Sequence, residues 1–103
     1  MDAYQLDNVL VSQKDRLLTE INLIDYAPAA VAEFSVQVER CNVILEKLGF
    51  VAGLWREADY AYKLQEIGQR LRDVFNRLND EARHYTSRQN AVIDLQAKLA
   101  NIL

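Results

Sequence analysis

The stretch KLGFVAGLWREADYAY, residues 47–62, decides how this chain folds, because two long apolar repeats meet there and do not agree in phase. Upstream, positions seven apart carry Ala3, Leu10, Leu17, Ile24, Val31, Val38, Leu45 and Ala52. A companion series runs Leu6, Gln13, Glu20, Ala27, Phe34, Cys41, Leu48 and Trp55. Downstream the series are Leu64, Leu71, Leu78, Tyr85, Val92 and Leu99, with Ile67, Val74, Glu81, Arg88, Leu95 and Ile102. Alternating steps of three and four residues put one apolar seam along a helix, so each run reads as a helical arm. Within the stretch, Gly49 suits a left-handed helix cap and Gly53 loosens the chain ahead of Trp55. The expectation is an all-α chain built as a long antiparallel helical hairpin. Residues 1–103 form a single helical domain, with arm one at about 2–48, a turn at about 49–53 and arm two at about 54–102.

Composition agrees with long helices. Of 103 residues, only three are glycine and one is proline, which leaves little material for turns. Pro28 interrupts arm one and either kinks or breaks it, since it lacks a backbone donor and crowds the preceding turn. In arm two, Thr86 and Gln89 have capping-box spacing. The unbroken register from Leu64 to Ile102 favours a continuous helix over a break there. Val9, Ile21, Leu23, Ile44, Val51 and Phe75 widen the seam beyond what a two-helix coil covers. Folding the first arm into a three-helix bundle, or pairing two hairpins into a four-helix bundle, would bury the excess.

Glu81 and Arg88 stand where the second seam calls for apolar residues, and Gln13 and Glu20 do the same on the first. Reflection about residue 51 brings these interruptions to matching heights. They read as a register-setting polar layer, in which Arg88 bridges Glu81 or Glu20; such layers penalise wrong pairings more than they stabilise the right one. An alternative reads Glu81 and His84 as a Glu-x-x-His pair that, with Glu20 and a second chain, forms a di-metal carboxylate site. No other metal, cofactor-binding or catalytic residues stand out, and no cofactor is expected. Lys63, Arg70, Arg77, His84 and Lys98 recur beside the second seam as a basic flank. Trp55, Tyr60 and Tyr62 cluster at the bend, and with Arg70 and Arg77 they are the candidate interaction residues.

The remaining observations exclude more than they identify. A net charge of −3 without a dense basic run is poorly suited to neutralising phosphates, so no nucleic-acid partner is expected. Acidic groups outnumber basic ones eight to four in residues 1–50 and are outnumbered seven to eight in 51–103, so the two halves are complementary in charge. No apolar run approaches the ~20 residues that span a bilayer. Cys41 is the only cysteine and lies in an apolar seam, as a small hydrophobe in a reducing cytoplasm. No phosphate-binding loop, serine elbow or zinc-protease motif appears, so neither an enzyme nor a small-molecule substrate is expected.

The expected role is a non-catalytic helical protein–protein interaction module of the adaptor, chaperone or inhibitor type, with protein partners and self-association into a homo-oligomer. The general plan, about a hundred acidic residues in two helices with Trp55 at the central bend, resembles the WXG100 family. That resemblance implies a secreted helical hairpin. The family's Trp-x-Gly would need glycine at position 57, where this chain has Glu57, and Gly53 lies on the other side of Trp55.

Overall fold

The computed structural model describes residues 3–26 and 33–103, with side chains for 12–24 and 33–103. Among these residues there are four helices and no strand: α1 (Ala3–Tyr26), α2 (Phe34–Glu57), α3 (Ala61–Glu81) and α4 (Thr86–Ile102). The all-helical expectation holds, and arm two, expected as one continuous helix, is divided into α3 and α4. A 48-residue helix would measure about 72 Å, whereas the longest dimension of the molecule is 51 Å. Both arms are doubled back, so one chain supplies all four helices of its bundle. Pro28 and its kink-or-break alternatives lie outside the described residues.

The first correction concerns the turn. Helix α2 runs straight through Gly49 and Gly53, and the chain reverses at 58–60 instead of 49–53. A helix stops where a residue adopts the left-handed conformation and the next amides turn back to the last carbonyls. Here that residue is Asp59, with φ 63°. The Asp59 amide donates to the Arg56 carbonyl at 3.2 Å and the Tyr60 amide to the Trp55 carbonyl at 2.6 Å, the paired bonds of a Schellman cap. Trp55 and Tyr60, at the two positions whose contact accompanies such a cap, both join the core. A short polar side chain tolerates this conformation better than most, so no glycine is needed.

The second correction is the break in arm two. Helix α3 ends at Glu81, residues 82–85 turn, and α4 begins at Thr86. Ala82 is completely buried, which allows the chain to pass close to the core as it reverses. Capping-box spacing marked the correct place, although the side chain works differently from the motif. Gln89 Nε2 donates to the Arg83 carbonyl at 2.8 Å, while Tyr85 occupies the cap position without a side-chain bond.

The central pair is α2 against α3, antiparallel across the Asp59 bend. α1 and α4 each pack against both of these helices, and no contact between α1 and α4 is present among the described residues. Directions follow from the cross-links. Lys14 meets Glu66, Asn22 meets Arg70 and the Ile24 carbonyl meets Arg77, so α1 runs parallel to α3. Asn42 meets Lys98 and Gly49 meets Ile102, so α4 runs parallel to α2. The core comprises Leu17, Ile21 and Ile24 of α1; Cys41, Ile44, Leu45, Leu48, Val51, Ala52 and Trp55 of α2; Leu64, Ile67, Leu71, Val74, Phe75 and Leu78 of α3; and Val92, Leu95 and Leu99 of α4, with Ala82. Gly68 is buried where the end of the chain crosses α3, and a Cβ there would lie 2.9 Å from Leu103 Cδ1. Of the residues that widened the seam, Ile21, Ile44, Val51 and Phe75 are core, while Leu23 is exposed.

Candidate interaction surface

The core uses one face of α2 and leaves an apolar line on another. Val36, Val43 and Phe50 repeat every seven residues along the outward side, continued by Leu54, and all four are exposed, Phe50 by 78%. The line is about 27 Å long at the helical rise. Across the groove from it, α1 presents exposed Leu23. Glu20, Leu23, Glu39, Arg40, Val43 and Ile44 enclose a shallow hollow of about 250 Å³ there. Single exposed apolar residues are ordinary, but a contiguous row along one helix is a candidate for association. The sequence carried the signal, since 36, 43 and 50 have the same spacing as the core seams. It is masked by the two stronger series of the same arm, which supply the core.

Charges border this row with opposite signs on its two sides. A step of three residues from Val36 and Val43 leads to Glu39 and Glu46 on one edge. A step of four leads to Arg40 and Lys47 on the other, since successive helical residues are about 100° apart. All four side chains are exposed. Lys47 Nζ also meets Glu20 Oε1 of α1 at 2.6 Å, a surface pair that adds little to stability.

The expected interaction residues fall into three environments. Trp55 is completely buried, and its Nε1 has no hydrogen-bond partner, so it is a packing residue and offers nothing to a partner. Tyr60 is half-buried and meets exposed Tyr62 edge-on, with ring centroids 6.0 Å apart. Lys63, buried along its stem, holds its ammonium 4.2 Å from the centre of the Tyr60 ring. Arg70 Nη2 donates to Asn22 Oδ1 at 3.1 Å, which joins α3 to α1.

Arg77 is the hub of a polar knot at the far end of the bundle. Its Nη1 donates to Gln37 Oε1 at 2.9 Å and to Glu81 Oε1 at 2.8 Å, and its Nη2 donates to the Ile24 carbonyl at 3.0 Å. Gln37 Nε2 returns a bond to Glu81 Oε2 at 3.2 Å. Ile24 lies in the last turn of α1, so Arg77 satisfies a carbonyl that the helix itself cannot and places a cation at the negative end of its dipole. Arg56 does the same for α4 by donating to the Ile102 carbonyl.

Of the four residues expected in a polar layer, Glu81 alone belongs to this knot. Moving the fold-back point from residue 51 to residue 59 brings Gln37 opposite Glu81, in place of a residue near position 21. Glu20 pairs with Lys47, and Gln13 is half-buried on α1. Arg88 reaches neither glutamate. It lies over the rings of Phe34 at 5.2 Å and Tyr85 at 4.5 Å, exposed in the first turn of α4 just after the turn at 82–85.

The same turn dissolves the Glu-x-x-His geometry, since Glu81 ends α3 and His84 sits in the turn. Glu20 is remote from both. The residues it and Glu81 meet on α2, Lys47 and Gln37, are ten positions apart, about 15 Å along the helix. Among the described residues no cluster of three His, Cys, Asp or Glu side chains could hold a metal ion. Burial pushes the Cys41 thiol up to about 12, with nearby Arg77 acting in the opposite sense, so at neutral pH it is protonated and inert. No helix among the described residues is long and apolar enough to cross a membrane.

No family model, no curated protein and no solved structure matches this chain.

Proposed function

We propose that this chain is a non-catalytic helical protein–protein association module, acting through the outward faces of α2 and α1, with self-association among its interactions. The observation that carries this reading is the row Val36, Val43, Phe50 and Leu54 with Leu23 beside it. Four helices of one chain already bury Leu17, Leu48, Leu71 and Leu78, and the row lies outside that core. Leaving a line of large apolar side chains in water favours aggregation unless something covers it. The cytoplasm suits the chain, because a lone inert thiol needs no oxidising compartment.

The test compares the full chain with its F50E variant. Light scattering across dilution reports mass, and the same two proteins serve as baits in lysate of the native host. The wild type should exceed its monomer mass of 11.9 kDa or retain a protein that F50E does not, while both melt at similar temperatures. A wild type that stays monomeric and retains nothing beyond what F50E retains would refute the reading.

A further inference from the structure

The geometry of α2 points to a definite occupant for this surface: we infer that the row is covered by the same row of a second copy, with the two α2 helices parallel about a two-fold axis along the stripe. The inference rests on the association reading above and goes further, to partner and orientation.

Charge decides the orientation. The acidic edge of the row is Glu39 and Glu46, and the basic edge is Arg40 and Lys47. Two copies of one helix can face each other symmetrically in two ways. In the antiparallel arrangement the two-fold axis crosses the helices, and each edge meets its own counterpart, acid on acid and base on base. In the parallel arrangement the axis runs along the stripe, and the acidic edge of each copy meets the basic edge of the other. Glu39 then faces the partner subunit's Arg40, and Glu46 faces the partner subunit's Lys47. Glu39 and Glu46 meet opposite charges only in the second case, with Lys47 also keeping Glu20 of its own chain, the same logic by which flanking residues choose orientation in coiled coils. The seven-residue spacing also places Val36, Val43 and Phe50 against their own counterparts at equal heights, an isologous contact that closes at two chains.

Size sets the strength. A row about 27 Å long on a helix about 10 Å wide covers roughly 300 Å² per copy, against about 800 Å² per partner in a standard stable interface. Leu23 and the groove beside Val43 enlarge it, because a helix seated on the row also touches α1. The dimer is therefore a weak one, forming and separating with concentration.

The experiment uses the full chain and two variants that each add one cysteine to the buried Cys41. Under mild oxidation V36C and F50C should each cross-link to a dimer, since in the parallel pair each position meets itself. In an antiparallel pair only a residue near the middle of the row would do so. The wild type is the control, because its Cys41 is fully buried and does not cross-link in the folded state. Sedimentation should show F50E weakening the dimer at least 30-fold and E39K/E46K weakening it about tenfold. Mixing E39K/E46K with R40E/K47E should give a mixed dimer tighter than either variant forms alone. Several results would overturn the inference: no cross-link at either cysteine, a dimer that F50E leaves intact, or a wild type monomeric at several hundred micromolar. If that monomer still retains another protein through Phe50, the association reading survives while the second copy does not.

Discussion

At the end of the bundle that carries the Asp59 bend, the closure is apolar: Trp55 lies wholly inside and Tyr60 packs over it. At the opposite end, where α1 finishes and α3 turns into α4, the closure is a polar knot of Arg77, Gln37 and Glu81. Both ends solve one problem, the unsatisfied carbonyls of a flanking helix, and both use an arginine from the central pair, Arg56 at one and Arg77 at the other. They differ in what surrounds that arginine. An apolar closure stabilises by area removed from water and is indifferent to pH and to detailed angles. A polar one holds only while every member keeps its partner.

Substitutions can separate the two kinds of closure. The largest effect is expected at the apolar end, where W55A removes a fully buried indole and should cost about 3–5 kcal/mol in urea unfolding. Next comes a pH effect near the polar knot. The Cys41 thiol ionises at about 12 in the folded protein against 9.0 for the ordinary thiol. Between these pH values the folded state keeps a proton that the unfolded chain releases, so the contribution is complete below pH 9 and lost as pH rises towards 12. It amounts to at most ~4 kcal/mol. C41A should flatten that part of the stability profile relative to wild type, and a profile unchanged by C41A would contradict the burial of this side chain. R77M keeps the stem but strands the Gln37 and Glu81 acceptors and an α1 carbonyl, at a cost of about 2 kcal/mol. If R77M proved as stable as wild type, the knot would be ornamental.

The smallest effects test where the chain turns. G53A should stabilise by about 0.5–1 kcal/mol, because residue 53 is mid-helix and a Cβ there meets nothing within 4 Å. D59G should stabilise by a few tenths of a kcal/mol by relieving the left-handed φ. A turn at 49–53 would predict the reverse for the first and nothing for the second.

That pair of residues also explains why part of the fold was legible in the sequence and part was not. The sevenfold spacing of Leu17, Ile24, Leu45, Leu48, Leu64, Leu71, Val92 and Leu99 marks side chains that are all buried, because a helix that must hide one face repeats it in its sequence. The turn was misplaced because glycine is only the commonest occupant of a left-handed cap. Gly49 and Gly53 advertised a turn that the Trp55–Tyr60 contact and Asp59 actually make. The break after Glu81 was obscured because a four-residue turn happens to preserve the numerical register, although Glu81, Tyr85 and Arg88 all leave the core there. Their polarity at seam positions was the visible trace of that break. At the candidate surface, Trp55 is a binding residue by type yet is sealed inside, whereas Phe50 and Val43, seven residues apart, stay exposed. Residue type suggests what a side chain could bind, but only packing shows which side chains remain free to do so.

Because among the described residues α1 and α4 touch the central pair and not each other, the molecule resembles a spine with two separable staves. Either stave can detach while the other stays seated, so opening should be graded instead of all at once. Amide exchange would then be slowest in the middle of α2 and α3, and faster, by independent amounts, in the two flanking helices. A ligand gripping one flank would leave exchange in the other untouched unless it also tightened the spine.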